Sequence, residues 1–368
     1  MKTFIIANDS YTLWQFRAQL VRALLEQGRV TLCMPFSGHE QDFCVMGCRC
    51  MEIPVERRGM NPKADLQLYY RYVAVLRRER PDRVLLFSIK PNIYGGYACR
   101  RLKIPFFAHV QGLGSAFYRP ALKPIVVRMY KTALKTAQKV FFENTNDARC
   151  FVRYGMIPQG KAFILPGAGV DLAYFSPLSY PDETKGICFL FAGRIMKEKG
   201  VEELFAAARE IKRLYGSRVR FEWVGPFEED YRAELERLSS EGIVTYFGFQ
   251  EDLRPFYQRA HCVVLPSYHE GMSNVLLEGA ACARALITTD VPGCREAVEQ
   301  GKSGLLCEKG DVKTLTACLG AFLNMQTSER RAMGERGRRH VEKYFDRREV
   351  IERTVKVLRN PGNFEIFE

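Results

Sequence analysis

The sequence has no run of eighteen apolar residues, although 47% of its residues are hydrophobic. A helix that crosses a membrane needs about 20 such residues, so we predict no transmembrane span. The apolar run near the start, Phe4 to Ala7, is too short for a signal peptide and is predicted to be a strand. No repeat of about 20–50 residues is visible either, which gives no indication of a repeat architecture.

The sequence also lacks the familiar spacings of metal ligands. Cys44, Cys48 and Cys50 form a cluster with His39 nearby, but their spacing matches no common zinc pattern. We therefore favour a turn between a helix and a strand in a reduced intracellular protein, with zinc as the minor alternative. No Asp-x-Asp tripeptide occurs, so one common way of holding Mg²⁺ or Mn²⁺ at a diphosphate is missing. We predict no metal and no cofactor.

Acidic residues are absent between Arg83 and Phe142, in a chain of net charge +13. From Pro120 to Lys139 the basic residues alternate with apolar ones, which predicts a basic amphipathic helix. Its candidate membrane-binding cations are Lys123, Arg128, Lys131 and Lys135. Such a helix can lie on an anionic membrane surface, and the alternative is an ordinary packed helix with a solvated face. We do not favour nucleic acid as a partner, because the sequence has no helix-turn-helix, zinc-finger, RRM or KH pattern.

The chain alternates between strand and helix patterns, which indicates doubly wound parallel sheets. The turn-rich segment from Leu165 to Lys185 predicts a linker between two such series. Predicted strands are 3–8, 30–35, 83–87, 105–110, 139–143, 162–165, 186–192, 219–225, 243–247, 262–265, 285–289 and 304–306. Predicted helices of the first series are 12–27, 65–79, 92–102, 121–138 and 145–153. We place the domains at residues 1–168 and 169–346, with a last helical segment at 347–368.

Two glutamates, Glu270 and Glu278, lie in one short segment after a predicted buried strand. Ser273 or Asn274 can cap a helix that runs to Ala283, so Glu270 is expected in the loop and Glu278 about one turn into the helix. A carboxylate in this loop can accept hydrogen bonds from hydroxyl groups, and the amides at a helix start can hold an anion. Sugar hydroxyls and a diphosphate would suit this combination.

A second segment carries a glycine and three cations after a predicted strand. Gly193 and Arg194 follow the strand 186–192, and Lys197 and Lys199 come just before the next predicted helix. Ligands of open α/β sheets bind at the carboxyl ends of the strands. Arg provides a bidentate fork and Lys a mobile point charge, so the pair is suited to a diphosphate.

Taken in order, these segments resemble the retaining glycosyltransferases of family 4. The matching pieces are Gly193-Arg194, Lys199, Val224-Gly225, Tyr246-Phe247-Gly248, Pro266-Ser267, Glu270 and Glu278, and the stretch Asp290 to Glu296. The resemblance covers residues 165 to 345 and extends weakly into the first half through Val110 to Ser115, Phe142 to Asp147 and Gly167 to Asp171. It implies the GT-B fold, in which two Rossmann-like domains of parallel sheets face a central cleft and the last helix returns to the N-terminal domain.

The resemblance and the local chemistry together define the candidate site. The catalytic candidates are Glu270, Arg194, Lys199 and His109, the last by its place before a glycine-rich loop. The donor-binding candidates are Gly193, Gly225, Phe249, Leu253, Gly271, Met272, Ser273, Asn274 and Glu278. The acceptor-side candidates are Asp9, Gly112 and Gly114. The family's glycine-rich loop after the first strand is missing here, because Asn8 to Thr12 contains no glycine.

The predicted activity is a metal-independent, retaining transfer of a hexose or an N-acetylhexosamine such as GalNAc. A UDP-sugar is the expected donor, and a polyprenyl-diphosphate-linked saccharide at the inner face of a bacterial cell membrane is the expected acceptor. Both expectations follow from the resemblance and from the basic helix. Two alternatives stay open at this point, namely a GT-B transferase with a soluble sugar acceptor and a non-catalytic protein that binds sugar nucleotides.

Overall fold

The structure, a computed structural model, describes residues 1–56, 61–114, 117 and 119–362. The chain divides into two compact units, each of which is an α/β domain with a parallel sheet. Unit 1 consists of Met1–Ala168 and Glu349–Glu368, and unit 2 of Gly169–Arg348.

Seven parallel strands form the sheet of unit 1 in the part of the chain that is described. They are β1 (Lys2–Ile6), β2 (Arg29–Met34), β3 (Arg49–Glu52), β4 (Arg83–Phe87), β5 (Phe106–Val110), β6 (Lys139–Phe142) and β7 (Ala162–Ile164). Their order across the sheet is β3-β2-β1-β4-β5-β6-β7. The order runs outward in both directions from β1 and β4, which is the pattern of a doubly wound sheet.

The helices of unit 1 cover both faces of this sheet. They are α1 (Ser10–Leu25), α2 (Glu40–Met46), α3 (Pro62–Glu79), α4 (Gly96–Leu102), α5 (Lys123–Ala133) and α6 (Thr145–Arg153). A π-helical turn, Pro91–Gly95, leads into α4. One core contains buried side chains of α3 to α6, and a second contains those of α1 together with Val350 and Val357 from the C-terminal segment.

Unit 2 is built on the same plan with six described strands. They are β8 (Ile187–Ala192), β9 (Val219–Val224), β10 (Val244–Tyr246), β11 (Cys262–Leu265), β12 (Ala285–Thr289) and β13 (Gly304–Cys307), in the order β10-β9-β8-β11-β12-β13. Its helices are α7 (Val201–Tyr215), α8 (Arg232–Ser240), α9 (Arg254–Arg259), α10 (Asn274–Ala281), α11 (Val312–Asn324) and α12 (Thr327–Tyr344). The last helix of the chain is α13 (Arg347–Arg359).

The parallel α/β fold and the predicted strands are confirmed, but α2 and β3 were not predicted and one predicted helix has different bounds. The predicted helix 121–138 ends at Ala133, and a short 3-10 turn (Leu134–Thr136) follows it. Lys139 is therefore not part of a basic helix but the first residue of β6, where its ammonium group donates to the Gly160 carbonyl at 2.9 Å. Basic and apolar residues continue across this helix-to-strand boundary, so their alternation alone could not reveal where the helix ends.

The cysteine cluster lies at a turn between a helix and a strand, as the preferred interpretation predicted. Helix α2 ends at Met46, Gly47 adopts a left-handed conformation, and β3 begins at Arg49. Among the described residues, no group of three or more His, Cys, Asp or Glu side chains is arranged to hold a metal ion. No helix in the described ranges is both long and apolar enough to cross a membrane.

Candidate active site

The centre of the candidate site in unit 2 is an ion pair between Lys199 and Glu270. The Lys199 ammonium contacts Oε1 of Glu270, and the Ser267 hydroxyl donates to the same oxygen at 2.7 Å. The side chains of Lys199 and Glu270 are only 16% and 14% exposed. Residues 71 positions apart are thus held together at this edge of the sheet.

The charge state of Glu270 follows from these contacts. Burial raises the pKa of Glu270, but the nearby Lys199 charge and the hydrogen bonds from Lys199 and Ser267 outweigh it and hold the pKa below its ordinary value. The carboxylate is therefore ionised at neutral pH. An ionised carboxylate only accepts hydrogen bonds, so Glu270 is suited to bind a hydroxyl donor.

Glycines at the ends of β8 and β9 bring these backbones close together. The Gly193 amide donates to the Val224 carbonyl at 2.9 Å, and the Gly225 amide donates to the Gly248 carbonyl at 2.8 Å. A Cβ on Gly225 would lie 1.8 Å from the Gly193 carbonyl oxygen. No side chain fits at position 225, so the predicted residue Gly225 is required for this close approach to the Gly193 carbonyl.

Gly200 has a comparable role beside Lys199. Its φ is 71°, in the left-handed region, and a Cβ would lie 2.1 Å from the Pro266 carbonyl oxygen. The loop that carries Lys199 therefore packs directly on the loop that carries Glu270. The amide of Tyr268 joins the same two loops by donating to the Glu198 carbonyl at 2.8 Å.

Arg194 lies at the same carboxyl edge of the sheet, directly after Gly193. Its side chain is 49% exposed, and its Nη1 is 3.9 Å from Oε2 of Glu228. That separation is longer than a hydrogen bond. The guanidinium group thus lies beside Glu228 at a half-exposed position, in contrast to the buried ammonium group of Lys199.

Glu278 has a different environment from Glu270. It lies in α10, is 8% exposed, and accepts a hydrogen bond from the Tyr257 hydroxyl at 2.9 Å. Burial raises the pKa of Glu278 to about 7, because the hydrogen bond from Tyr257 and the Arg347 charge only partly offset the loss of solvation. Of the two glutamates, one is thus ionised and the other is half protonated near neutral pH.

The start of α10 confirms one prediction and corrects another. Ser273 is the N-cap, since its side chain accepts from the Leu276 amide, and helix α10 begins at Asn274. However, the Ser273 amide donates to the Gly293 carbonyl at 2.8 Å. The expectation that the amides at this helix start hold an anion is therefore wrong for Ser273, whose N–H already has a backbone partner.

The other donor-side candidates surround this loop or follow β10. Met272 is buried, the Glu270 amide donates to the Pro292 carbonyl at 3.3 Å, and the Gly293 amide donates to Oε2 of Glu296 at 2.7 Å. Phe249 is 54% exposed, whereas Leu253 is half-buried and immediately precedes α9. The carboxylate that shapes the turn at Gly293 is thus Glu296, whose pKa is raised by burial.

His109, the catalytic candidate of unit 1, is buried between two aromatic rings. The centroids of Phe87 and Phe141 are 4.2 and 4.4 Å from that of His109, and both pairs are stacked. Burial, together with the Arg17 charge, lowers the pKa of His109 well below its ordinary value. Its Nε2 is buried and has no hydrogen-bond partner within the described residues, so the ring is a neutral histidine with one unused polar atom.

The acceptor-side candidates lie in loops of unit 1. Asp9 is the N-cap of α1, 5% exposed, and accepts from the Thr12 amide at 2.6 Å. Gly112 and Gly114 have φ values of 120° and 77°. Both glycines are thus used for backbone turns, and Asp9 has a structural capping role. Ser115, part of the resemblance, lies outside the described residues.

The four cations predicted for membrane binding do not share one environment. Arg128 and Lys131 on α5, and Lys135 just after it, are exposed. The Lys123 ammonium lies 4.7 and 4.3 Å from the ring centroids of Phe117 and Tyr154, and it donates to the Tyr154 hydroxyl at 2.6 Å. Lys123 is therefore held in an aromatic contact of the protein itself.

The apolar side of α5 packs inside unit 1. Val126, Tyr130 and Ala133 are buried, whereas Ile125 is 48% exposed. The alternative of a packed helix with a solvated basic face thus describes the packing of α5. Any membrane contact through this helix would depend on charge and on Ile125, not on insertion of a broad apolar face.

Two residues of the site were not among the sequence candidates for a role in it. Ser267 donates to Glu270 and Tyr257 donates to Glu278. Ser267 was part of the resemblance, and its position three residues before Glu270 could have indicated a local contact. Tyr257 lies in another helix, and no local pattern connects it with Glu278.

Comparisons with known proteins agree with this geometry. Residues 186–325 match the family described as "Glycosyl transferases group 1", and residues 17–174 match "Glycosyltransferase Family 4". The chain is 28% identical over 342 residues to the N,N'-diacetylbacillosaminyl-diphospho-undecaprenol alpha-1,3-N-acetylgalactosaminyltransferase of Campylobacter jejuni, an alignment that covers 88% of this chain and 89% of the relative.

Solved structures with the same fold share little sequence identity with the chain. Sucrose-phosphate synthase from Thermosynechococcus elongatus has a TM-score of 0.80 at 18% identity and covers 98% of this chain and 99% of its own. HepE from Anabaena, in complex with UDP and glucose, has a TM-score of 0.79 at 16% identity, over 97% of this chain and 99% of its own.

The two parallel-sheet units, the order of the motifs and these matches define an enzyme of the GT-B class. The chain belongs to the family 4 glycosyltransferases, and it is similar to bacterial enzymes that extend polyprenyl-diphosphate-linked glycans.

Proposed function

We propose that the protein transfers a sugar from a UDP-sugar to a saccharide carried on a polyprenyl diphosphate, in the synthesis of bacterial cell-surface glycans. The sugar is an N-acetylhexosamine such as GalNAc, or a hexose. The relative from Campylobacter jejuni carries both a diphospho-undecaprenol acceptor and N-acetylgalactosamine in its name. The solved HepE structure contains UDP and glucose, which supports a UDP-sugar donor.

The observation that carries this proposal is the buried Lys199–Glu270 pair at the carboxyl edge of the unit 2 sheet. When the diphosphate leaves the sugar, negative charge grows on its oxygens. Fixed cations stabilise that charge because they need no reorganisation as the bond breaks. Lys199 is oriented by Glu270, and Arg194 at the same edge of the sheet supplies a second cation. We propose that these two side chains bind the departing diphosphate and stabilise its negative charge.

The two glutamates bind different parts of the donor. Glu270, which is ionised, accepts hydrogen bonds from hydroxyls of the sugar. Glu278 accepts hydrogen bonds from the ribose hydroxyls. Binding of the ribose therefore favours the ionised form of the Glu278 carboxyl group. Phe249 presents an exposed ring beside β10, and an aromatic ring of this kind can stack on a nucleobase.

Retention and metal independence complete the proposed mechanism. Neither Glu270 nor Glu278 is an obvious nucleophile, so the acceptor hydroxyl attacks the face from which the diphosphate leaves. The bond between the sugar and the diphosphate breaks as the new glycosidic bond forms, and the hydroxyl proton passes to the departing diphosphate. The sequence contains no Asp-x-Asp to hold a divalent ion, whereas Lys199 and Arg194 supply positive charge directly. His109 is the catalytic candidate on the unit 1 side, through its unused Nε2.

We place the enzyme at the inner face of the cell membrane as a peripheral protein. The exposed cations Arg128, Lys131 and Lys135 support contact with an anionic surface. A soluble sugar acceptor is less well supported, because the relative that aligns over most of the chain has a lipid-linked acceptor in its name.

The experiment that tests this function is mass spectrometry of lipid-linked products after incubation with a panel of UDP-sugars. We expect one UDP-sugar to add one sugar mass to a polyprenyl-diphosphate-linked acceptor. Glu270→Gln should abolish most of this product. Glu236→Gln, the same change at an exposed position of α8, should not.

Two results would contradict the proposal in different ways. Release of UDP with soluble acceptors alone would show that the acceptor is wrong. Binding of UDP-sugars without any UDP release, for every acceptor offered, would show a non-catalytic binding protein.

A further inference from the structure

A groove of about 620 Å³ lies in unit 1 between α3, the π-helical turn and α4. Its volume is within the range of about 300–1,000 Å³ that is typical of small-molecule sites. The residues that line it are Pro62, Asp65, Leu66, Tyr69, Tyr94, Tyr97, Arg100 and Arg101. The donor-side residues described above all belong to unit 2, so the groove is a separate feature.

Three tyrosine rings and one leucine give the groove an apolar surface. Tyr69, Tyr94 and Tyr97 are half-buried, and Leu66 is 55% exposed. The Tyr97 hydroxyl donates to the Met129 carbonyl of α5 at 3.1 Å. This contact holds the ring of Tyr97 in the wall of the groove.

The charge of the groove is positive on balance. Its one acidic residue, Asp65, is buried and paired with the Lys90 ammonium at 2.8 Å. Both Arg100 and Arg101 are exposed, so their charges are open to an anion in solution.

The two arginines are partly oriented by neighbouring groups. Nη1 of Arg100 donates to the Thr132 carbonyl at 3.2 Å, and Nη1 of Arg101 lies 3.5 Å from the Tyr69 hydroxyl. These contacts hold two guanidinium groups beside the aromatic lining of the groove. Arginine is well suited to phosphate because its planar fork can make two parallel hydrogen bonds.

We infer that this groove binds the diphosphate and the first part of the hydrocarbon chain of a polyprenyl-linked substrate. The arginines match the anionic head, and the rings of Tyr69, Tyr94 and Tyr97 match the adjoining chain. The inference deepens the proposed function and rests on it for the identity of the lipid. The groove also differs from the basic face of α5, which offers charge but only Ile125 as an exposed apolar contact.

The shape of the groove favours a prenyl chain over a membrane phospholipid. Its lining combines one set of aromatic rings with two adjacent arginines, so it accommodates one chain beside one head group. A phospholipid carries two acyl chains, and the second would remain outside. Only one exposed aliphatic side chain, Leu66, lines the groove, which is too little apolar surface for insertion into a bilayer.

The test is the binding of farnesyl diphosphate to the full-length protein, measured by calorimetry below the concentration at which the lipid forms micelles. Inorganic diphosphate and farnesol serve as head-only and chain-only probes, and both should bind at least tenfold more weakly. Arg100→Gln/Arg101→Gln should weaken farnesyl diphosphate binding on the order of tenfold or more, because hydrogen bonds to charged groups are lost. The matched control is Arg71→Gln/Arg77→Gln, which removes the same charge from exposed positions of α3 outside the groove.

A second pair of variants tests the apolar part. Leu66→Glu should weaken farnesyl diphosphate binding, whereas Tyr70→Glu should not, since Tyr70 is 57% exposed and does not line the groove. Equal losses in the two arginine pairs, or in these two variants, would overturn the inference and indicate a general charge effect. So would the absence of binding to the wild-type protein, or binding only to vesicles of anionic phospholipid.

Binding of a UDP-sugar, measured on the same samples, separates this inference from the proposed function. The groove variants should bind it as the wild type does, which also shows that they are folded. If farnesyl diphosphate binds in the groove but no lipid-linked product forms, the inference about the groove is supported and the proposed function is contradicted. If product forms equally well in all groove variants, the groove is not the acceptor site.

Discussion

Binding of a UDP-sugar should release a proton from Glu278. Burial raises the pKa of this carboxyl to about 7 in the unliganded protein. Ribose hydroxyls that donate to the carboxylate stabilise its ionised form, which lowers the pKa. The side chain must therefore lose its proton when the donor binds, and the affinity for the donor should increase with pH.

The magnitude follows from the fraction of Glu278 that is protonated. With a pKa of about 7, this fraction is about 0.9 at pH 6, about 0.5 at pH 7 and about 0.1 at pH 8. If the bound pKa returns to the ordinary value near 4.5, these fractions equal the protons released. The dissociation constant of the donor should then increase about tenfold between pH 8 and pH 6.

Isothermal titration of a UDP-sugar in buffers of low and high ionisation enthalpy measures the released protons. An intact UDP-sugar is needed, because free UDP has a phosphate group that titrates in the same range. Glu278→Gln should remove the effect. Tyr257→Phe should move it to higher pH, because the hydroxyl that stabilises the carboxylate is lost. Equal heats in both buffers for the wild-type protein at pH 6 and pH 7 would refute the reasoning.

Three further predictions concern the cations. Arg194→Ala or Lys199→Ala should lower kcat on the order of 10²-fold, with less effect on donor affinity, because the extra charge develops in the transition state; near-normal turnover of both variants would remove them from the site. Activity in a product assay should persist in excess EDTA, and complete loss that added Mg²⁺ or Mn²⁺ restores would contradict the metal-independent mechanism. Replacement of Arg128, Lys131 and Lys135 by Gln should weaken sedimentation with anionic vesicles by up to about 1 kcal/mol per charge, whereas removal of three exposed cations from α12 should not; equal binding to neutral vesicles would contradict an electrostatic contact.

The donor side of the site could be predicted from the sequence because its features are local. A strand, a loop and a capped helix follow one another around Glu270, so the positions of Glu270, Ser273 and Glu278 depend on short-range patterns. Gly193 and Gly225 were donor-side candidates because each follows a predicted strand, whereas their close approach was not predicted and is seen only in the structure. Local patterns of this kind specify which edge of a parallel sheet a residue occupies.

The contacts that set the chemistry could not be predicted in the same way. Lys199 and Glu270 are 71 residues apart, and Tyr257 and Glu278 belong to different helices. Whether two such side chains meet depends on how the loops and helices pack. The pKa difference between the two glutamates therefore became visible only in the structure.

For the basic helix, the sequence predicted the amphipathic character but not the packing. Alternation of cations and apolar residues identifies an amphipathic segment but not the surface that its apolar side contacts. In the structure, Val126 and Tyr130 pack into unit 1 and Lys123 lies against the rings of Phe117 and Tyr154. The cations predicted to contact a membrane thus remain exposed, apart from Lys123, whereas most of the apolar side of the helix is covered by unit 1.

The interpretation of Lys199→Ala depends on the ion pair between Lys199 and Glu270. Removal of Lys199 alone leaves Glu270 as a buried charge without its cation, and breaking one partner of a buried pair costs about 3–5 kcal/mol of stability. A loss of activity in Lys199→Ala could then reflect a displaced loop. Lys199→Met/Glu270→Gln removes both charges and keeps the volume, so it should unfold in urea close to the wild type. Since Glu270→Gln alone should already abolish most of the product, the double variant reports on stability and not on turnover. If Lys199→Ala unfolds at a much lower urea concentration than the double variant, a displaced loop contributes to its loss of activity. If the two variants unfold together, the missing charge of Lys199 is responsible for the loss.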